Sequence, residues 1–181
     1  MLVKKIFLLI VKHMKKFVFL IIALVIAELT STVASSEIKV VDGDSLELKG
    51  RRIRLIGIDA PEYTQNCHAH DGTLYPCGIH AKDFLEQLID EGKRNNQKLK
   101  CVAQDIDRYK RDLSVCYLGD VNLNYQMVKS GWATAYRYDL FQKAEKRAKK
   151  RQIGIWQGKF MRPEIYRALK REKEKQKNIV N

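Results

Sequence analysis

Three carboxylates and an arginine lie close together in one short stretch of the sequence. Asp44 belongs to an Asp-Gly-Asp-Ser turn signal, Asp59 and Glu62 flank Ala60-Pro61, and Arg54 lies between the two groups. The residues separating them are mainly apolar, as expected for neighbouring strands. Acids at the ends of apolar strands are costly unless they hold a cation or do chemistry. Since carboxylate oxygens suit Ca²⁺ or Mg²⁺ and guanidinium groups match phosphate oxygens, the stretch predicts a metal-dependent site acting on a phosphodiester.

Taken alone, each of these short motifs is weak evidence, because Asp, Gly and Pro are common in turns of every kind. Asp42 in particular is expected to be a turn residue. A second charged cluster at 107–111, Asp-Arg-Tyr-Lys-Arg, strengthens the case because it falls at the tip of a predicted hairpin. Such a tip can bring a further arginine, Arg111, to the same site.

The elements that must position these residues are short. Strands are predicted at 37–41, 45–49 and 52–58, a hairpin at 98–104 and 112–118, and a final extended segment at 132–138. Helical spacing of apolar residues predicts helices at 79–89, ended by Gly92, and at 122–130, followed by a basic helix from Asp139 to about residue 152. Residues 63–78 are expected to form a loop. This pattern indicates an α+β domain built on a small β-barrel.

Four ordered motifs now resemble one family. Asp-Gly-Asp-Ser at 42–45, the segment 54–62, the cluster at 107–111, and Gly-Trp-Ala with Tyr-Arg-Tyr at 131–138 are similar to the thermonuclease (staphylococcal-nuclease-like) family over about 38–157. The resemblance implies a five-stranded OB-type β-barrel with about three helices. It also implies Ca²⁺-dependent hydrolysis of DNA and RNA with little sequence preference, leaving 3′-phosphates. The alternative is a catalytically weak nucleic-acid-binding module on the same barrel.

The resemblance assigns roles residue by residue. Asp44, Asp59 and the main-chain carbonyl of Ala60 are expected to hold Ca²⁺, Glu62 to orient or deprotonate the attacking water, and Arg54 and Arg111 to grip the phosphate. Three tyrosines are expected to line the nucleotide pocket: Tyr109, Tyr136 and Tyr138.

Two departures from the family pattern bear on the site. Ala60 replaces a threonine but keeps the carbonyl that the metal would use. Lys110 replaces the hairpin glycine, so that if this position needs a positive φ the lysine is strained and the placement of Arg111 is affected.

Composition supports a polyanionic partner. The chain has 181 residues, a length suited to one domain, and a formal net charge of +13. The charge alone leaves nucleic acid and an anionic membrane surface open as that partner, and the resemblance implies DNA and RNA. No protein partner is implied, and a monomer is expected.

The first 34 residues have the features of a secretory signal, with five lysines, an apolar run at 17–27 and a small-residue end. The apolar run is short of the ~20 residues that span a bilayer. We therefore expect export, secreted or periplasmic, with a retained membrane anchor as the alternative and either Met1 or Met14 as the start. The nuclease-like domain is expected at 35–160, followed at 161–181 by a basic C-terminal tail. This tail is interpreted as a frayed, solvated helix, with a dedicated binding arm as the alternative.

Four cysteines in an exported chain favour disulfides. Cys67 and Cys77 bracket the loop after Glu62, while Cys101 and Cys116 lie on the two arms of the predicted hairpin. We predict the pairs 67–77 and 101–116. The competing hypothesis is a zinc site built from the clustered thiols and imidazoles of Cys67, His68, His70, Cys77 and His80.

Overall fold

The computed structural model describes residues 13, 14, 16, 38–137 and 139–180, with side chains as far as 178. It divides into two compact units, Met1–Glu37 and Ile38–Asn181. In the first unit, His13, Met14 and Lys16 are helical. The rest of the predicted signal segment, and Tyr138, lie outside the described residues. No helix within those described ranges is long and apolar enough to cross a membrane.

The second unit is built on one mixed sheet. Its strands are β1 (Ile38–Asp42), β2 (Ser45–Leu48), β3 (Arg51–Leu55), β7 (Leu99–Ile106), β8 (Asp112–Leu118) and β9 (Val121–Asn122). Five of them lie in the order β1-β2-β3-β8-β7, and the two-residue strand β9 pairs with β8. All pairs are antiparallel except β3 and β8, which are parallel. The predicted α+β class with five main strands is confirmed.

Two short ladders lie outside this sheet. The predicted strand at 52–58 is interrupted, because Gly57 has a φ of +79° and turns the chain before β4 (Ile58–Asp59). β4 then pairs with β10 (Thr134–Ala135), the only regular part of the predicted strand at 132–138 that the described residues show. In the predicted loop at 63–78, β5 (Cys67–His68) pairs with β6 (Leu74–Tyr75).

Four α-helices follow Ile38 in the described part of the chain. They are α1 (Cys77–Arg94), α2 (Leu123–Lys129), α3 (Gln142–Arg151) and α4 (Pro163–Val180). The prediction that Gly92 ends α1 is wrong: the helix runs on to Arg94, and Gly92 is instead the place where Leu118 packs closely against the helix. Asp139 begins a 3₁₀ turn, Asp139–Phe141, which leads into α3.

The core lies between the sheet and the inner faces of α1, α2 and α3. Alternate residues of the strands point into it, and the helices add a stripe at helical spacing. Its fully buried large side chains include Leu46, Leu55, Ile58, Leu85, Ile89, Leu118, Leu123 and Met127. The strands β2, β3 and β4 that pack on this core position three charged residues: Asp44 directly precedes β2, Arg54 lies on β3, and Asp59 ends β4.

Both predicted disulfides are present. Cys67 pairs with Cys77, and Cys101 pairs with Cys116 across directly opposed positions of β7 and β8. The zinc hypothesis is therefore wrong, because its two thiols are used in a disulfide. His80 lies exposed instead, with its ring between the rings of Tyr75 and Trp132.

Candidate nuclease active site

The structure brings Asp44, Asp59 and Arg54 into direct contact. Arg54 projects from β3 and forms ion pairs with Asp44 and, at 2.7 Å, with Asp59. The two acids come from different segments, Asp44 from the turn between β1 and β2 and Asp59 from the end of β4, and both are almost completely buried. Buried carboxylates are costly without a counter-charge, so this contact needs cationic partners to persist.

The backbone around Asp44 fixes its orientation. One carboxylate oxygen accepts a hydrogen bond at 2.8 Å from the amide of Ala60, and the other accepts one at 3.1 Å from the hydroxyl of Ser45. Gly43 makes the close approach possible, since a Cβ there would lie 2.8 Å from the Cβ atoms of Ala60 and Ala81. The β1–β2 turn is thereby locked against the segment that follows Asp59.

Asp42 is a turn residue that also borders the site. Its carboxylate accepts a hydrogen bond at 3.1 Å from the amide of Asp44. Burial raises the pKa of Asp42, and the nearby Arg54 guanidinium offsets that effect only in part. The same surroundings lower the pKa of Arg54, because burial disfavours its charge more than the acids favour it.

Glu62 is positioned by a tight loop and by the first turn of α1. Its amide donates to the side-chain oxygen of Gln65 at 3.3 Å, and its carbonyl accepts from the amide of Gln65 at 2.7 Å. Gly78 packs directly on this loop, because a Cβ at that position would lie 1.8 Å from the carbonyl oxygen of Glu62. The Glu62 carboxylate is partly exposed, at 32%, and is therefore accessible to water.

The hairpin tip presents Arg111, but not directly to the acids. Its guanidinium pairs with Asp107 at 2.8 Å, and Asp107 also accepts hydrogen bonds from the amides of Tyr109 and Arg111. Burial alone would raise the pKa of Asp107, but these hydrogen bonds outweigh it and lower the pKa. Lys110 does adopt a left-handed conformation, with φ +60°, so the lysine occupies a position that favours glycine.

A cleft of about 910 Å³ extends from β3 and the Glu62 loop to the tip of the β7–β8 hairpin. Arg54, Glu62 and Arg111 line it, together with Tyr109 and Tyr136. Tyr109 is exposed and lies beneath the guanidiniums of Arg108 and Arg111, while Arg137 lies over the ring of Tyr136. Rings and guanidiniums on one wall suit a phosphate backbone with stacked bases.

Sequence reasoning missed one residue of this site, Arg167 of α4. Its guanidinium contacts both carboxylate oxygens of Asp59, at 2.9 and 3.0 Å, and one carboxylate oxygen of Glu62, at 2.7 Å. Burial by itself would lower the pKa of Arg167, but the hydrogen bonds to the two acids raise it well above its ordinary value. The C-terminal helix was expected to be frayed and solvated, and no local pattern in the sequence marks this long-range contact.

The donor set fits a hard divalent cation. No cluster of three His, Cys, Asp or Glu side chains arranged for a metal occurs among the residues described. The metal ligands predicted from the sequence do not form such a cluster, because they are two carboxylates, those of Asp44 and Asp59, and the main-chain carbonyl of Ala60. Asp44 and Asp59 are buried oxygen donors that share one cationic partner, Arg54, so a positive charge belongs between them. This chemistry is typical of Ca²⁺ and Mg²⁺ sites.

Comparisons with known proteins place this geometry in a family. Residues 52–158 match the family described as Staphylococcal nuclease homologue. The succinoglycan biosynthesis protein ExoI of Rhizobium meliloti is 31% identical over 65% of this chain and 61% of its own length. A thermonuclease of Staphylococcus hyicus is 31% identical over 66% of this chain and 73% of its own. An uncharacterized endonuclease of Haemophilus influenzae is 30% identical over 66% and 64% respectively.

The family match accounts for most of the site, since Arg54, Asp59, Glu62 and Arg111 fall within it, while Asp44 precedes it and Arg167 follows it. The fold agrees, with five main strands and helices packed as the OB type requires. The chain belongs to the staphylococcal nuclease homologue family.

Proposed function

We propose that the chain is a Ca²⁺-dependent endonuclease that hydrolyses phosphodiester bonds of DNA and RNA with little sequence preference and leaves 3′-phosphates. The observation that carries this proposal is the pairing of Arg54 with Asp44 and Asp59, beside a cleft that Arg54 and Glu62 line together with further arginines and tyrosines. Relatives named as endonucleases and thermonucleases support it.

In this proposal Asp44, Asp59 and the carbonyl of Ala60 hold the cation. When bound, the cation polarises the phosphate and offsets the charge that develops on it. The amide of Ala60 and the hydroxyl of Ser45 keep Asp44 oriented for that purpose. Their geometry is set before substrate arrives, which lowers the reorganisation needed during the reaction.

Glu62 is assigned to the attacking water. Its partly exposed carboxylate orients the water and accepts its proton, and the water oxygen forms the new bond to phosphorus. The bond from phosphorus to the 5′ oxygen breaks, and that oxygen leaves as a hydroxyl after taking up a proton. The products are a 3′-phosphate and a 5′-hydroxyl.

Arg54 and Arg111 are assigned to the phosphate oxygens. Both line the cleft, and a guanidinium can donate two parallel hydrogen bonds to a phosphate. Arg111 must exchange Asp107 for the phosphate, a change that replaces one anionic partner by another. Tyr109 and Tyr136, and by the same proposal Tyr138, supply stacking surfaces that accept any base.

The test is a cleavage assay on single-stranded DNA and RNA with Ca²⁺ or with excess EDTA. Glu62→Gln and Arg54→Ala are each expected to lower kcat by at least about 10²-fold. Glu91→Gln and Arg94→Ala, exposed substitutions of the same kinds on α1, serve as matched controls and should cleave as the wild type does.

The outcomes separate the two functions. Cleavage that depends on Ca²⁺ and fails only in the site variants supports the nuclease. Salt-sensitive binding without cleavage at any Ca²⁺ concentration would instead identify a binding module on the same barrel.

We further propose that the protein is exported and acts as a monomer. The lysine-rich, then apolar, first 34 residues support export, with a retained membrane anchor as the competing form. Sequencing the N-terminus of the protein recovered from cells distinguishes a cleaved signal from an anchor, and sedimentation measures the oligomeric state.

A further inference from the structure

Arg167 occupies the acidic centre of the site from a helix outside the matched family region. It reaches Asp59 and Glu62 from α4, more than a hundred residues along the chain. The matched residues end at 158, before α4 begins at Pro163. This contact therefore needs its own explanation.

The contact engages both carboxylate oxygens of Asp59. One of its oxygens accepts from both Arg54, at 2.7 Å, and Arg167, at 2.9 Å, and the other accepts from Arg167 at 3.0 Å. A hard cation requires direct access to such an oxygen and is repelled by a guanidinium already there. Arg167 in this position and a cation on Asp59 exclude one another.

Of the two arginines, Arg167 is carried by the less firmly packed element. Arg54 belongs to the central strand β3, and its side chain is only 14% exposed. On α4, Ile165 and Leu169 remain 49% and 46% exposed, so this helix buries little apolar surface. Elements with few buried apolar contacts detach at the lowest free-energy cost.

The base of α4 is held firmly even so. Lys159 pairs with His68 of the disulfide-closed loop through two backbone hydrogen bonds, and the carbonyl of Met161 accepts from Gln65 at 2.6 Å. Beyond Pro163, α4 is attached by the hydroxyl of Tyr166, which contacts Thr64, and by Arg167 itself. A helix that detaches beyond Pro163 remains tethered beside the site, at high effective concentration.

We propose that Arg167 is a built-in competitor of the catalytic cation, so that docking of α4 on Asp59 and binding of Ca²⁺ at Asp44 and Asp59 exclude each other. The proposal rests on the proposed function, since it concerns the same cation site. Docking of α4 and binding of Ca²⁺ are linked equilibria, so docking lowers the Ca²⁺ affinity by the same factor by which bound Ca²⁺ lowers the equilibrium constant for docking. Free enzyme is thus held in a cation-poor form, and cation binding releases α4 from the cleft.

The first test is a calorimetric Ca²⁺ titration of the purified mature protein without nucleic acid. Arg167→Ala should bind Ca²⁺ about tenfold or more tightly than the wild type, because charge-assisted hydrogen bonds that oppose the cation are gone. Arg167→Lys, which keeps the charge but loses the bidentate geometry, should give an intermediate shift. Lys173→Ala removes an exposed charge from the same helix and should bind as the wild type does.

The second test measures the reverse direction. Hydrogen exchange of the α4 amides should rise when Ca²⁺ is added to the wild type and to Lys173→Ala. In Arg167→Ala the exchange should be high with or without Ca²⁺. A purely structural role for Arg167 would alter stability but would not make α4 exchange respond to the cation.

The contrary results are distinct. Equal Ca²⁺ affinities for wild type and Arg167→Ala, in a protein that cleaves with Ca²⁺, would overturn the competition alone. A loss of cleavage at saturating Ca²⁺ with unchanged affinity would make Arg167 a phosphate ligand and also overturn it. If none of the variants binds Ca²⁺, both this inference and the proposed function fail.

Discussion

Replacing Gly78 by alanine tests whether the first turn of α1 sets the position of Glu62. A Cβ at this position would lie 1.8 Å from the carbonyl oxygen of Glu62 and 2.9 Å from that of Tyr63, where real Cβ contacts stay above 3.0 Å. Both neighbours are backbone atoms, which cannot rotate away. The loop that carries Glu62 must therefore move by about 1 Å, a displacement that typically costs about 10²-fold in rate.

We expect Gly78→Ala to lower kcat/KM by about 10²-fold on single-stranded DNA with saturating Ca²⁺. The added methyl group should also destabilise the fold by about 1–3 kcal/mol, as overpacking does. Steady-state kinetics give the first quantity and thermal melts the second. The assay is run well below the melting temperature so that only folded enzyme is compared.

Two glycines serve as controls for the two effects. Gly92→Ala crowds the Leu118 side chain at 2.8 Å, at the other end of the same helix, and should lose stability while keeping kcat/KM. Gly72→Ala adds a methyl group in open space at φ +84°, in the loop closed by the Cys67–Cys77 disulfide, and tests backbone strain without crowding. A folded Gly78→Ala enzyme with wild-type kcat/KM would refute the claim that this contact positions Glu62.

Three further predictions concern the hairpin tip and the disulfide. Lys110→Gly should stabilise the protein by about 1 kcal/mol because φ is +60° there, whereas Lys100→Gly, at an exposed position near the start of β7, should destabilise it. Urea melts measure both changes in the free energy of unfolding, and two changes of the same sign would contradict backbone strain at Lys110. Replacing Cys67 and Cys77 by serine should cost about 2–3 kcal/mol in the free energy of unfolding, and an unchanged melt would show that this closed loop contributes nothing. The pKa of Asp107 is lowered in the fold, so its stabilising contribution is present above its unfolded value of about 3.9 and is lost as pH falls through the lower folded pKa. Asp107→Asn should therefore be less sensitive to acid below about pH 4 than the wild type, which melts recorded from neutral to acidic pH will measure.

Local patterns predicted the parts of the fold whose causes are local. Alternation at 45–49 and the charged tip at 107–111 identified β2 and the β7–β8 hairpin, and the hairpin in turn fixed the Cys101–Cys116 pair. Helical spacing identified α1 and α2 to within a few residues. These signals depend on residues that are near each other in sequence, so no tertiary information was needed.

Two errors in the predicted elements arose at glycines whose role depends on the tertiary structure. Gly57 lies inside an apolar run that alternates like a strand, and only its left-handed φ reveals that the run turns into β4. Gly92 was taken for a helix stop, but it lets Leu118 of β8 approach the helix. Sequence patterns do not distinguish a glycine that ends an element from one that admits a neighbour.

The contact of Arg167 could not be predicted for a different reason. Its partners are 105 and 108 residues away, and the helix that carries it has mixed charges and few apolar residues. The prediction of a solvated helix is right for most of α4, because residues 168–178 are exposed. The exceptions lie near the start of the helix, where Tyr166 contacts Thr64 and Arg167 contacts the acids.

The arginines that line the cleft differ in their partners, and the difference bears on how the proposed nuclease would hold its substrate. Arg54, Arg111 and Arg167 are each paired with a carboxylate, whereas Arg108 and Arg137 form no ion pair within the ranges that the structure describes and lie exposed over tyrosine rings. We expect Arg108 and Arg137 to provide the attraction that counterion release makes salt-dependent.

Arg54 and Arg111, the two paired arginines assigned to the phosphate, act differently, because each must exchange a carboxylate for a phosphate, so that the net charge at the guanidinium changes little. Salt should therefore weaken capture of the strand through the exposed arginines more than it weakens the grip on the scissile phosphate. In kinetic terms, raising the salt concentration should raise KM while leaving kcat nearly constant. A kcat that falls in step with kcat/KM would show instead that the paired arginines depend on the same screened attraction as the exposed ones.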